Sequence, residues 1–96
     1  MERGGFVYIM ASARNGTLYI GVTSDLAARL WKHRNEPEGF VKSYGIRLLV
    51  HAEGYPTIDE AIAREKALKK WNRAWKLALI ERDNPTWDDL FEHLIG

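Results

Sequence analysis

The chain has 96 residues and a mass of 11.1 kDa, the length of one domain of about 100 residues, which excludes a second independent core. Hydrophobic residues make up 46% and charged residues 28%, a balance that excludes disorder. There is no cysteine, which excludes disulfides, zinc–thiolate sites and thiol catalysis and fits a reducing cytosol. The net charge is only +1, but it is unevenly spread. Six bases (Arg64, Lys66, Lys69, Lys70, Arg73, Lys76) and one acid, Glu65, lie between residues 64 and 76. From Glu81 onward five acids face one base, Arg82. Such a basic block is either a polyanion-binding surface or a solvated helix face. The longest apolar run, Phe6 to Ala11, is six residues, against the roughly 20 needed to span a bilayer. No signal-peptide pattern precedes it, so the sequence predicts a mature cytoplasmic protein with no membrane partner.

In chain order, Phe6 to Ala11 predicts a strand from its β-branched and aromatic residues. Asn15-Gly16 predicts the turn of a hairpin, with Thr17 to Thr23 as the second strand. Ser24 is the expected N-cap of a helix over 25–34. Pro37 and Gly39 break the chain, and Ile46 to Glu53 predicts a third strand ended by Gly54 and Pro56. Thr57 with Glu60 three residues on is a capping-box pattern opening a helix from Ile58 to about Trp71. Asn72 marks a break before a further helix to about Arg82, and Thr86 with Asp89 predicts a last short helix over Trp87 to Leu94. The expected organisation is one domain over 1–96, with a core of about 4–82 and a short C-terminal helix within 86–94. Its class is α/β (α+β): a three-stranded sheet flanked by helices, in the order β-β-α-β-α-α-α.

Several polar side chains fall where the pattern calls for apolar ones. Ile58, Ala61, Ile62 and Leu68 form one helical stripe, and Glu65 lies in its middle. A carboxylate there is costly unless it is exposed at the rim, paired with a base or bound to a metal. On the first helix, Leu26 and Leu30 define the buried side, with Arg29 and His33 at its edge as an i,i+4 pair. A guanidinium beside an imidazole can hold a phosphate and move a proton, or it can simply reach to water. His51 and His93 read as structural. Tyr8 and Tyr19 fall in neighbouring strands, where phenols commonly serve core or rim. Trp71 and Trp75, one helical turn apart, either stack on bases or pack their helix to the sheet.

Taken together, these residues resemble the two-part signature of the GIY-YIG nuclease superfamily. Val7-Tyr8 is followed, eleven positions after the tyrosine, by Tyr19-Ile20-Gly21. The second triplet is intact; the first reads Phe6-Val7-Tyr8. Arg29 lies ten residues after Tyr19, at the place of the superfamily's arginine, His33 follows four later, and Glu65 matches its glutamate. The likeness covers about residues 4–80 and is greatest to small single-domain members, related to the nuclease domain of bacterial excision-repair endonucleases. It implies a three-stranded sheet with flanking helices and an endonuclease that hydrolyses DNA phosphodiesters in repair or recombination, with one divalent metal, Mg²⁺ or Mn²⁺. By this resemblance Glu65 would be the metal ligand and Arg29 the phosphate clamp. Tyr8 or His33 would be the general base, Tyr8 with its pKa lowered by cations, and Tyr19 would position water or phosphate. Lys66, Lys69, Lys70, Arg73 and Lys76 would bind the DNA backbone. Some members carry a lysine directly after the second triplet; here that residue is Val22. The expected partner is DNA, with RNA not distinguished from it, and the expected state is a monomer or weak homodimer. No glycine-rich phosphate loop calls for an organic cofactor. Two other readings stay open: a nucleic-acid-binding module without catalysis, and a protein-interaction domain docking through its acidic tail.

Overall fold

The structure, a computed structural model, describes residues 4–95. Strand β1 (Gly5–Ala11) lies at the centre of an antiparallel sheet of order β2-β1-β3, between β2 (Leu18–Thr23) and β3 (Leu48–Tyr55). The hairpin turn follows its sequence signal, with Asn15 at φ +59°. A bulge where Ile9 pairs with His51 and Met10 with Leu49 leaves Val50 as the extra residue of β3.

Alternation along β1 divides the interior into two cores. Val7, Ile9 and Ala11 face α3 (Ile58–Lys70) and α4 (Arg73–Asp83), packing with Ala61, Leu68, Leu79 and Ile80. Tyr8 and Met10 face α1 (Leu26–Asn35), α2 (Gly39–Ser43) and α5 (Phe91–Ile95), packing with Leu26, Leu30, Val41 and Phe91. Thr57 caps its helix as expected, accepting from the Glu60 amide, and Asn72, expected only as a break, caps α4 by accepting from the Trp75 amide. On the α3 side the Glu53 carboxylate meets Arg64, His51 and Tyr55 at 2.7–3.2 Å. Burial would raise its pKa, but those three partners outweigh burial and hold it at about 2. His51 is thus structural, as its sequence setting suggests.

Three local expectations need correction. The N-cap of α1 is Asp25, which accepts from the Ala28 amide, while Thr23 rather than Ser24 bonds the Asp25 backbone. A five-residue helix, α2, stands where Pro37 and Gly39 suggested only a break, so the order is β-β-α-α-β-α-α-α. The last helix starts at Phe91, not Trp87: Trp87 has φ +59°, which no helix accepts. Instead the Asn84 side chain donates to the Val50 and Asp88 carbonyls and accepts from the Asp88 amide, fixing a turn over 84–88.

Asp89, expected as a capping partner of Thr86, does a different job. Its carboxylate accepts from the Leu49 and Phe91 amides and from the Arg34 guanidinium. Arg34 in turn lies 4.3 Å over the Phe91 ring and donates to the Arg47 carbonyl. One carboxylate thereby joins α1, β3 and α5. Asp89→Ala is expected to cost about 2–4 kcal/mol, because it strands a half-buried guanidinium and two amides. Chemical denaturation checks this; a midpoint equal to wild type would remove Asp89 from the framework.

Candidate functional site

The register of the hairpin builds the site. Tyr8 pairs with Gly21, and Tyr19 projects from the same face two residues earlier on β2. Gly21 has no side chain to obstruct its neighbour, so the Tyr8 ring lies directly over it. A Cβ at Gly21 would come within 2.4 Å of the Tyr8 Cζ and hydroxyl oxygen. This gives the glycine of the second triplet a physical role: it makes room for the first tyrosine.

Helix α1 crosses this face, anchored by Leu26 and Leu30. It brings His33 to Tyr8, with the Tyr8 hydroxyl 2.9 Å from His33 Nε2. Tyr19 completes a cluster of three rings, its centroid 6.3 Å from Tyr8 and 5.4 Å from His33. Arg29, one helical turn before His33, is exposed, and with Lys32, His33 and Tyr19 it lines an open cavity of about 400 Å³. Its far wall is Phe40 and Val41 of α2, with Glu36 and Glu38 beside them.

The electrostatics of the pair are set by burial and by cations. Burial pushes the His33 imidazole below its usual 6.5, and Arg29 and Lys32 push it further. Burial pushes the Tyr8 phenol well above its usual 10; Tyr19 adds to this and Arg29 opposes it. Both groups are therefore neutral near pH 7. In that state the bond runs from the phenol to Nε2 or from Nε2–H to the phenol oxygen, according to the imidazole tautomer. The expected lowering of the Tyr8 pKa by cations is not what this environment produces, because burial of the phenol outweighs Arg29.

Glu65 lies on the other side of the sheet. It sits between Ala61 and Leu68 on the packed stripe of α3, as the periodicity requires, yet its side chain is 15% exposed. Its ion-pair partner among the described residues is Lys69, at 3.4 Å. Lys69 and Lys76 line a second cavity of about 300 Å³ with Leu18, Tyr19 and Ile20, running over the β2 edge. Tyr19 and Phe40 line both cavities. Four of the five expected site residues (Tyr8, Tyr19, Arg29 and His33) thus converge, while Glu65 approaches through its neighbour Lys69.

The basic block divides. Lys69 and Lys76 line the second cavity, and Lys66 and Lys70 are exposed away from it. Arg73 is committed to the fold: its guanidinium donates to the Asn15 and Gly16 carbonyls at 2.6 and 2.8 Å and fastens the hairpin turn to α4. The tryptophans divide too. Trp71 packs on the core, with Arg64 5.0 Å above its ring, and Trp75 is exposed at 90° to it. Lys32, Phe40, Glu36 and Glu38 are cavity residues that sequence reasoning missed. The i,i+4 aromatic pair Phe40 and Tyr44, so close after a glycine, was the available signal of a short helix presenting rings.

The family model described as the GIY-YIG catalytic domain matches residues 4–78, which takes in β1 through most of α4. The chain belongs to the GIY-YIG family. Its relatives include UPF0213 proteins of Staphylococcus epidermidis and Staphylococcus aureus. They are 38% and 39% identical over 77 residues, which span 79% of this chain and 93% of each relative. Among solved structures, the solution NMR structure of a UPF0213 protein from Bacillus halodurans matches with a TM-score of 0.56 and 25% identity, covering 90% of this chain and 92% of that one. The resemblance to small single-domain GIY-YIG proteins and the sheet-and-helix fold it implied therefore hold. At the level of the family, a GIY-YIG domain carries nuclease chemistry on DNA and generally uses a divalent metal. Among the described residues, no helix is long and apolar enough to cross a membrane.

Proposed function

We propose that this GIY-YIG domain is a metal-dependent endonuclease that hydrolyses DNA phosphodiester bonds, with a role in repair or recombination. The observation that carries the reading is the Tyr8–His33 hydrogen bond of 2.9 Å at the edge of a cavity lined by Arg29 and Tyr19. Phosphodiester hydrolysis needs a cation for the phosphate and a base for the attacking water, and these are the groups that converge. Arg29 binds the scissile phosphate through two of its N–H groups and meets the charge that builds on its oxygens. His33, which lines the cavity, takes the proton of the attacking water at Nδ1, and the fully buried Tyr8 hydroxyl, bonded to Nε2, holds the ring in place. One water O–H bond breaks and its proton ends on the imidazolium, while the water oxygen bonds to phosphorus, the P–O bond to the departing strand end breaks, and that oxygen takes a proton from solvent water. This suits an imidazole that burial holds below its usual pKa, so that it is neutral and able to accept near pH 7. Tyr19 holds the water or a phosphate oxygen at the cavity wall.

Among the described residues no group of three or more acidic or histidine side chains could hold a metal, so a small divalent cation here would rest on one carboxylate and water. Glu65 offers a hard oxygen ligand whose partner among the described residues is one exposed lysine at 3.4 Å, and Mg²⁺ typically keeps several waters beside one or two carboxylates. Glu65 would hold Mg²⁺ or Mn²⁺, and the ion would supply Lewis-acid stabilisation of phosphate charge. Lys69 and Lys76 give sequence-independent hold on the backbone, with Lys66 and Lys70 as outer contacts.

The test is cleavage of plasmid, single-stranded and branched DNA and of a short RNA, with Mg²⁺, Mn²⁺ or EDTA. Wild type should cut DNA only with metal, and Glu65→Gln should lower the rate by about 10²-fold or more while leaving DNA binding intact. Isothermal titration of Mn²⁺ into both proteins gives an independent readout, with binding heat lost in the variant. Equal, metal-independent inertness of wild type and Glu65→Gln on every substrate would sink the reading.

A further inference from the structure

The two cavities beside the site share lining residues and together outline a track. Tyr19 and Phe40 are common to both, with Arg29 and Lys32 at one end and Lys69 and Lys76 at the other. Along this track runs a file of rings. His33 and Tyr19 are 5.4 Å apart between centroids, Tyr19 and Phe40 6.4 Å, and Phe40 and Tyr44 4.6 Å. The outer two are not core residues: Phe40 is 47% exposed and Tyr44 55%. Helix α2 is held to the core by Val41 alone among its buried residues; it carries Phe40, and Tyr44 follows at its C-terminal cap.

Neighbouring exposed rings beside Arg29, Lys32, Lys69 and Lys76, with Glu36 and Glu38 on the wall of the first cavity, form the kind of apolar patch that marks a binding surface. Nucleic acid can cover such rings in one way. In an intact duplex the base faces are stacked on each other and only their edges are open in the grooves. A phenyl ring can take a base face only from an unpaired nucleotide, and stacking platforms between basic rims are how single strands are held without sequence reading.

We propose that the track binds an unpaired strand of DNA, with one base stacked on Phe40 and extended by Tyr44. Its flanking phosphates run between the Arg29–Lys32 end and the Lys69–Lys76 end. The preferred substrate is then DNA with a single-stranded segment, such as a gap, a flap or a loop, rather than uninterrupted duplex. The inference rests on the nuclease reading of the same site.

Fluorescence anisotropy with a short labelled oligonucleotide tests it, using the strand free and in a blunt duplex, in EDTA so that nothing is cut. Wild type should bind the free strand about tenfold more tightly than the duplex. Phe40→Ala should lose about tenfold on the free strand and nothing on the duplex, and Phe40→Trp should keep wild-type affinity. Because Phe40 lies on the surface, melting temperatures should agree across the three proteins. Equal affinity for the two forms, or full free-strand affinity in Phe40→Ala, overturns the inference. Parallel cleavage assays with Mn²⁺ separate the two claims. Equal cutting of both forms keeps the nuclease and overturns the single-strand preference. No cutting, with the binding pattern intact, keeps the track and removes the nuclease.

Discussion

Arg29→Ala is expected to slow DNA cleavage by about 10²–10³-fold, the usual loss when a preorganised donor to a charged transition state is removed. The guanidinium lines the cavity beside His33, where a phosphate would sit. The same substitution should leave stability within about 0.5 kcal/mol, since the side chain is exposed on a helix and alanine is the best helix former. A second readout belongs to Arg29 alone. Its charge helps Lys32 and burial hold the His33 imidazole below 6.5. In wild type, activity should rise with pH as His33 loses its proton, with a midpoint below 6.5, because only neutral His33 can accept the proton. Without Arg29 that midpoint should move upward, towards the ordinary value. A residual rate within threefold of wild type, or an unmoved acid limb, would take Arg29 out of the chemistry.

Gly21→Ala should do comparable harm by a different route. The added methyl would lie 2.4 Å from the Tyr8 Cζ and hydroxyl and 2.9 Å from Cε1. The Tyr8 ring is fully buried between Met10, Leu30 and its neighbours, so it has no flexible end to yield. Either the ring turns and the bond to His33 breaks, or the β1–β2 pair separates. The expected cost is about 1–3 kcal/mol of stability from overpacking. Cleavage should fall by about 10²-fold in the fraction that stays folded, because the phenol is displaced by about an ångström or more. Gly54→Ala is the control: it lies in β3 of the same sheet, but its Cβ would meet only the Phe6 ring at 3.4 Å, an ordinary contact. Its melting temperature and rate should stay near wild type. A Gly21→Ala protein with wild-type stability and rate would mean that the close approach of Tyr8 to β2 has no functional weight.

Much of the fold was legible because its signals are local. The β-branched runs, the Asn15-Gly16 turn, the Thr57 cap and the break at Asn72 act through neighbours a few residues away, and each formed where the residues called for it. Glu65 was legible for a related reason. Helical periodicity alone places it between Ala61 and Leu68, and the structure keeps it there. The errors fall where distant contacts override local preference. The Thr86-to-Asp89 pattern promised a helix start, but Asn84 bonds to Val50, 34 residues away, and forces a turn instead. Asp89 is taken by Arg34, 55 residues away. Helix α2 has too few residues for a periodic signal and exists because Val41 finds the core beside Tyr8.

By itself the sequence determined the three strands, four of the five helices, and the order and chemistry of Tyr8, Tyr19, Arg29, His33 and Glu65. These follow from side-chain periodicity and from the spacing of residues along one chain. Only the tertiary structure decided which of them meet. The antiparallel register sets Tyr8 over Gly21, and the packing of Leu26 and Leu30 turns His33 onto the Tyr8 phenol across 25 positions of sequence. The pKa directions follow from the burial that this packing creates, and burial is a property of the assembled core rather than of any local segment. The track past Phe40 depends on the same packing, since its two ends come from α1 and from α3–α4, which lie on opposite faces of the sheet and meet only around the edge of β2.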